Sequence, residues 1–231
     1  AFNALGLDLS TISDEDLSHI LLYHVIGAQI EAADIAEGQT YASTANTSGP
    51  QGAALSMLIE KSSQGVIVNG KATVTTADLD ASNGVIHVVD QVLLPMNIVE
   101  HTAANENFTQ LVGALGAASG DLVTVLSGSG PFTVFAPVDA AFAEIADVVA
   151  TLDADQLSNV LTYHVVGAAN VRSTDLIENM EVMTVNGTPF TISLSDGAKI
   201  TDANGNIAQI ILTDVQATNG VIHVLNKVIL P

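Results

Sequence analysis

Four of the six histidines in this 231-residue chain stand in two settings, each of which occurs twice. His24 follows Tyr23 in LLYHVIGA (21–28), and His164 follows Tyr163 in LTYHVVGA (161–168). His87 lies inside NGVIHVVDQVLLP (83–95), and His223 inside NGVIHVLNKVILP (219–231). An imidazole so placed could act as a general base, ligate a metal, or stay neutral, donating one buried hydrogen bond and accepting another. Catalysis needs a nucleophile or a second acid at a matched position, and the pattern supplies neither. A metal site needs at least three convergent ligands, whereas each repeat offers two such histidines and the chain has no cysteine. The third reading fits the neighbours. His24 and His164 share a helical face with leucines, while His87 and His223 share a strand face with Val85 and Val89, or Val221 and Leu225. The expectation is a structural histidine in each closing strand, His87 and His223, that ties the strand to the Tyr-His helix.

Two acidic turns invite a calcium reading, DLDASNG (78–84) and DANGN (202–206). Neither has the twelve-residue calcium loop with glycine sixth and glutamate last, and ordinary Asn-Gly turn chemistry explains both. No cofactor is expected. Asn46, Asn107 and Asn186 stand in Asn-X-Ser/Thr triplets, which matter only in a cell that glycosylates them.

The elements that position these residues repeat in order. Ser13 can cap a helix whose first turn carries Asp14, Glu15 and Asp16, with Leu17, Ile20, Leu21 and His24 on one face before Gly27. Asp153, Gln156, Leu157, Val160, Leu161, His164 and Gly167 restate that design. Downstream, alternating apolar runs between Asn-Gly pairs predict strands and hairpins over 66–90 and again over 185–215. FTVFAP (132–137) reads as a strand ended by Pro137, with Asp139 as cap of the following helix; Asn107 and Ser119 are candidate caps of the two helices before it. The division is residues 1–95 and 97–231, with Ala1-Phe2 aligned to Ala141-Phe142. The segment from about Phe108 to Ala140 has no counterpart in the first copy. A first domain without it would leave a sheet edge and an apolar face uncovered. The expectation is a natural chain that continues upstream, or self-association through the incomplete first domain.

Five basic against 25 acidic residues give a formal charge of −20, which repels phosphate backbones and anionic lipid, so nucleic acid is not an expected partner and contact with a membrane is peripheral at most. The absence of cysteine excludes disulfides and thiolate chemistry. No run approaches the length of a membrane span.

TVFAPVDAAF (133–142), the Tyr-His pair and the closing Asn-Gly-Val-Ile-His-Val phrase that ends in Leu-Pro together resemble the fasciclin-like domain, an extracellular adhesion module. The second copy carries all three in the family's order, and the first carries the last two. The resemblance implies an α+β fold of two fasciclin-like domains, each a wedge-shaped β-sandwich flanked by helices. It further implies a non-enzymatic adhesion or matrix-interaction protein, secreted or at the cell surface (periplasmic or extracellular in a bacterium). The implied partner is a cell-surface or matrix protein or a polysaccharide. By the same resemblance, interaction residues fall at Tyr23, His24, Asp78, Leu79, Tyr163, His164, Asp214 and Val215, with Leu79 and Val215 standing where integrin-linked members have isoleucine. A few fasciclin-like proteins bind carotenoids, so the alternative is a carrier of an apolar ligand.

Overall fold

A computed structural model describes residues 12–231, and the chain divides into two compact units, 1–96 and 97–231. The alignment of Ala1-Phe2 lies outside the described residues.

The first unit opens with α1 (Asp14–Tyr23), capped by the Ser13 hydroxyl, which accepts from the Asp16 amide at 3.0 Å. Five strands follow, β1 (Gly38–Ser43), β2 (Ser56–Ser62), β3 (Gly65–Val68), β4 (Ala72–Ala81) and β5 (Gly84–Val89), paired antiparallel in sequence order. Asn69 and Gly70, both at positive φ, turn β3 into β4, as the Asn-Gly signal predicts. The start of β4 pairs with β3 and the remainder with β5, so this one strand serves both parts of the sheet. The core gathers Tyr23, Leu55, Met57, Ile59, Val68, Ala72 and Leu93.

The second unit begins with a helical layer: α2 (Ile98–Ala104), α3 (Thr109–Ala117) and α4 (Leu122–Ser127). After β6 (Phe132–Pro137) come α5 (Asp139–Glu144), α6 (Ala146–Val149) and α7 (Ala154–Tyr163). Six further strands complete it: β7 (Val165–Gly167), β8 (Glu181–Met183), β9 (Pro189–Ser193), β10 (Lys199–Thr201), β11 (Ile207–Ala217) and β12 (Gly220–Leu225). The order is β7-β6-β12-β11-β10-β9-β8, in which only β6 and β12 run parallel. The long β11 pairs with β10 at its start and with β12 beyond it, bending at two register shifts. That bend lets one ribbon fold into a sandwich around Phe135, Phe190, Ile192, Ile200, Ala208, Ile210 and Leu225.

Several local expectations change. α1 and α7 end at their tyrosines, with His24 and His164 as the C-cap residues, so Gly27 and Gly167 lie beyond the helices. Asp139 does not cap α5; its carboxylate accepts from the Gln110 amide at 2.8 Å and from the Thr109 hydroxyl, and so serves α3. Asn105, not Asn107, caps the single 3-10 turn before α3 by accepting from the Asn107 amide at 2.9 Å. Asp121, in the left-handed region, precedes α4 where Ser119 was expected. Residues 98–104, for which the sequence analysis names no element, form α2 under a capping box made by Asn97 and Glu100.

Candidate functional site

The helix-end tyrosines are wholly buried, and a buried phenol needs hydrogen-bond partners. Tyr163 donates to the Pro189 carbonyl at 3.1 Å and accepts from the Ala203 amide at 3.0 Å. Tyr23 donates to the Ser56 carbonyl at 2.8 Å and accepts from the Asn69 side-chain amide at 3.1 Å. Beside them, His164 donates from Nδ1 to the Val160 carbonyl at 2.9 Å and accepts the Ile229 amide at Nε2, 3.1 Å away. His24 does the same with Ile20 at 2.7 Å and Leu93 at 2.9 Å. Because a carbonyl only accepts, each ring is the neutral Nδ1–H tautomer. Burial pushes the His164 pKa down to about 4, with the Val160 carbonyl partly opposing. Both nitrogens of each ring are thus engaged in holding the chain.

The closing-strand histidines hold something else. Asp214 sits at the bulge of β11 with φ 62, and its N–H reaches His223 Nδ1 through a long contact of 3.4 Å. His223 donates from Nε2 to the Val171 carbonyl at 2.9 Å. The Asp214 carboxylate accepts from the Ser173 amide at 2.8 Å and also meets the Ser173 hydroxyl. In the first unit Asp78, with φ 57, places its N–H 3.5 Å from His87 Nδ1. His87 donates to the Ile30 carbonyl at 2.9 Å, and Asp78 accepts from the Ala32 amide at 2.8 Å. In both units, therefore, a bulge aspartate and a strand histidine grip the loop after the Tyr-His helix at two backbone groups spaced two residues apart. This corrects the expectation that His87 and His223 join their strand to that helix. The helix is joined to the closing phrase by its own histidines, through Leu93 and Ile229.

The two copies of the clamp differ in burial. His223 is fully enclosed and stacks on Phe135 with ring centroids 5.3 Å apart, whereas His87 is half-buried. Burial lowers the His223 pKa, opposed by the Val171 carbonyl and the Asp214 carboxylate. His223→Ala should therefore cost about 3 kcal/mol, for the orphaned Val171 carbonyl and the lost stacking, and His87→Ala only about 1 kcal/mol. Urea denaturation of each variant checks this, and equal costs would contradict it.

Of the remaining expected interaction residues, Leu79 is exposed and Val215 is buried in the core. The DANGN loop is organised by Asp202, whose carboxylate accepts from the amides of Asn204, Asn206 and Leu230 and from the Asn206 side chain at 2.8–3.1 Å. Among the described residues, no group of three or more His, Asp or Glu is placed to hold a metal ion. Asn46 is fully buried and donates to the His19 carbonyl, so in the folded chain it is closed to modification; Asn107 is exposed.

Sequence reasoning missed Asn219, the first residue of the second closing phrase. Its side chain accepts from the Ile98 amide at 3.0 Å and donates to the Leu126 and Gly128 carbonyls at 2.8 and 2.7 Å, tying the helical layer to the β11–β12 turn. Its recurrence as Asn83 in the first phrase was the available signal.

Two copies of a helix ending in Tyr-His, each tied to a bulged closing hairpin, are the architecture of a fasciclin domain pair. The chain belongs to the fasciclin domain family, whose model matches residues 1–95 and 106–231. It is 42% identical over 137 residues to an uncharacterised protein of Synechocystis sp., covering 58% of this chain and 97% of that one. It is 27% identical over 220 residues to transforming growth factor-beta-induced protein ig-h3 of Sus scrofa, covering 94% of this chain and 30% of that protein. Among solved structures it is similar to a domain pair from the insect cell adhesion molecule Fasciclin I, with TM-score 0.60 and 18% identity, covering 100% of this chain and 86% of that one. No helix among the described residues is long and apolar enough to cross a membrane.

Proposed function

We propose that this chain is a non-enzymatic, extracellular or cell-surface adhesion protein that binds a surface or matrix protein or polysaccharide. The observation that supports this most is a fold alike over the whole chain to the domain pair of a cell adhesion molecule. The polar residues of its repeated motifs are consistent with that reading, because their hydrogen-bonding groups are engaged within each unit. The net charge of −20 favours a partner that presents basic groups.

The test is attachment. Beads coated with the chain are scored for binding to cells and to extracellular matrix of the native host, beside beads coated with an unrelated globular protein of similar charge. The expected result is attachment above the control, abolished by excess soluble chain. Attachment no greater than the control would sink the proposal.

The apolar-carrier alternative rests on a cavity of about 450 Å³ in the first unit, lined mostly by aliphatic side chains together with His24 and His87. Visible absorbance in protein purified from its native host would favour it.

A further inference from the structure

This chain has neither cysteine nor tryptophan, so its four methionines are the side chains that a two-electron oxidant attacks most readily. Three of them are shielded. Met57 and Met96 are 4% and 8% exposed, and Met180 packs against the core around Phe190. Met183 is 61% exposed. Its strand, β8, ends the seven-stranded sheet, with Val182 turned into the core and Glu181 and Met183 turned outward. Met183 faces Pro189 across the β8–β9 pair, and Val185, two residues on, is 53% exposed. The first unit has the same position. Tyr163 donates to the Pro189 carbonyl and Tyr23 to the Ser56 carbonyl, and the strand partners of Pro189 and Ser56 are Met183 and Ser43. Val185 and Ala45 correspond as well, since each amide bonds to the carbonyl two residues after its helix-end tyrosine, Val165 or Val25. Ser43 is exposed, so the fold accepts a polar oxygen at this place.

We propose that Met183 is a reversible oxidation site, at which a hydroperoxide changes the polarity of the β8 surface and leaves the fold intact. A lone pair on Sδ attacks the distal peroxide oxygen, the S–O bond forms as the O–O bond breaks, and water or an alcohol leaves. The sulfur is oxidised by two electrons to the sulfoxide and the peroxide is reduced by two. The product carries a hydrogen-bond acceptor two residues from Val185, where the reduced side chain is apolar. Exposure keeps that oxygen in water, so the core loses no packing. A sulfoxide at Met57 or Met180 would instead place a polar group in apolar surroundings. A thiol-dependent methionine sulfoxide reductase reverses the step, two thiols becoming a disulfide as the oxygen leaves in water.

The test treats the intact chain with graded hydrogen peroxide and follows each methionine by peptide mass mapping. The first oxygen should enter at Met183, about tenfold or more faster than at Met57, Met96 or Met180. The singly oxidised chain should melt as the untreated chain does and elute earlier from a hydrophobic-interaction column. Treatment with the two epimer-specific methionine sulfoxide reductases should restore its mass and its retention. Met183→Leu should keep the melting temperature and lose both the first uptake and the change in retention. Uptake at any of the other three methionines as fast as at Met183 overturns the proposal. So does a lowered melting temperature after single oxidation, an unchanged retention, or a sulfoxide that the reductases do not remove.

Discussion

Phe135→Ala is expected to destabilise the second unit by about 4 kcal/mol, within the range for removal of a buried aromatic ring. Phe135 lies on β6, between β7 and β12, and is almost wholly buried. Its ring meets Phe190 edge-on at 5.1 Å and lies over His223 at 5.3 Å. Deleting it removes the transfer free energy of the ring and leaves a void that the surrounding β-sandwich cannot close, because Phe190 and His223 are themselves fixed by Tyr163 and by Val171. The first unit shows a cavity beside the equivalent histidine. Phe135→Leu keeps most of the volume and should cost less than half as much. Urea denaturation measures both, and a Phe135→Ala cost below about 1 kcal/mol would contradict this packing.

Acid should produce the second large effect, a loss of stability in the second unit as pH falls from about 6.5 to about 4. Burial depresses His101 to about 3 and His164 to about 4, and lowers His223 as well. The unfolded chain takes up protons on these residues near pH 6.5, while the folded chain refuses them until pH reaches the depressed values. Unfolding therefore binds protons throughout that window, and stability rises with pH across it. The contribution is fully present above about pH 6.5 and is lost progressively below it. His164 alone accounts for roughly 3 kcal/mol, from a shift between 6.5 and about 4. Denaturation midpoints at a series of pH values check the slope. His164→Gln, which keeps a polar amide near Val160 and Ile229 but does not titrate, should flatten it. A stability independent of pH between 7 and 4.5 would contradict the burial of these rings in neutral form.

Much of the fold was legible because its signals are local. Ser13 and Asp153 announced their helices, Asn69-Gly70 its turn, and FTVFAP its strand. The assignments that changed depend on partners distant in sequence. Asp139 precedes a run of helix formers, yet its carboxylate is taken by Thr109 and Gln110 thirty residues earlier. The targets of His223 and Asp214 are backbone groups of Val171 and Ser173, and a backbone group leaves no trace in residue type. The left-handed bulge at Asp78 and Asp214 was equally hidden, since aspartate tolerates that conformation without requiring it. Phe135 could be read as buried, but not as the ring that His223 stacks against, because strand order and the parallel register of β6 on β12 are tertiary facts. The repeat was the strongest aid: the same Asp, His and Tyr-His positions recur in both copies of the sequence, which points to structural roles before any distance is measured.

The repeated aspartate and histidine hold the loop after the Tyr-His helix. Amide hydrogen exchange at Ser173 in Asp214→Ala reports on that grip at the group the carboxylate holds. The expected result is exchange at that amide faster by about tenfold or more, the loss of roughly 1.4 kcal/mol of local protection, while amides in the first unit exchange as before. Unchanged exchange at Ser173 would mean that the loop is held by other contacts and that the aspartate is free for another role.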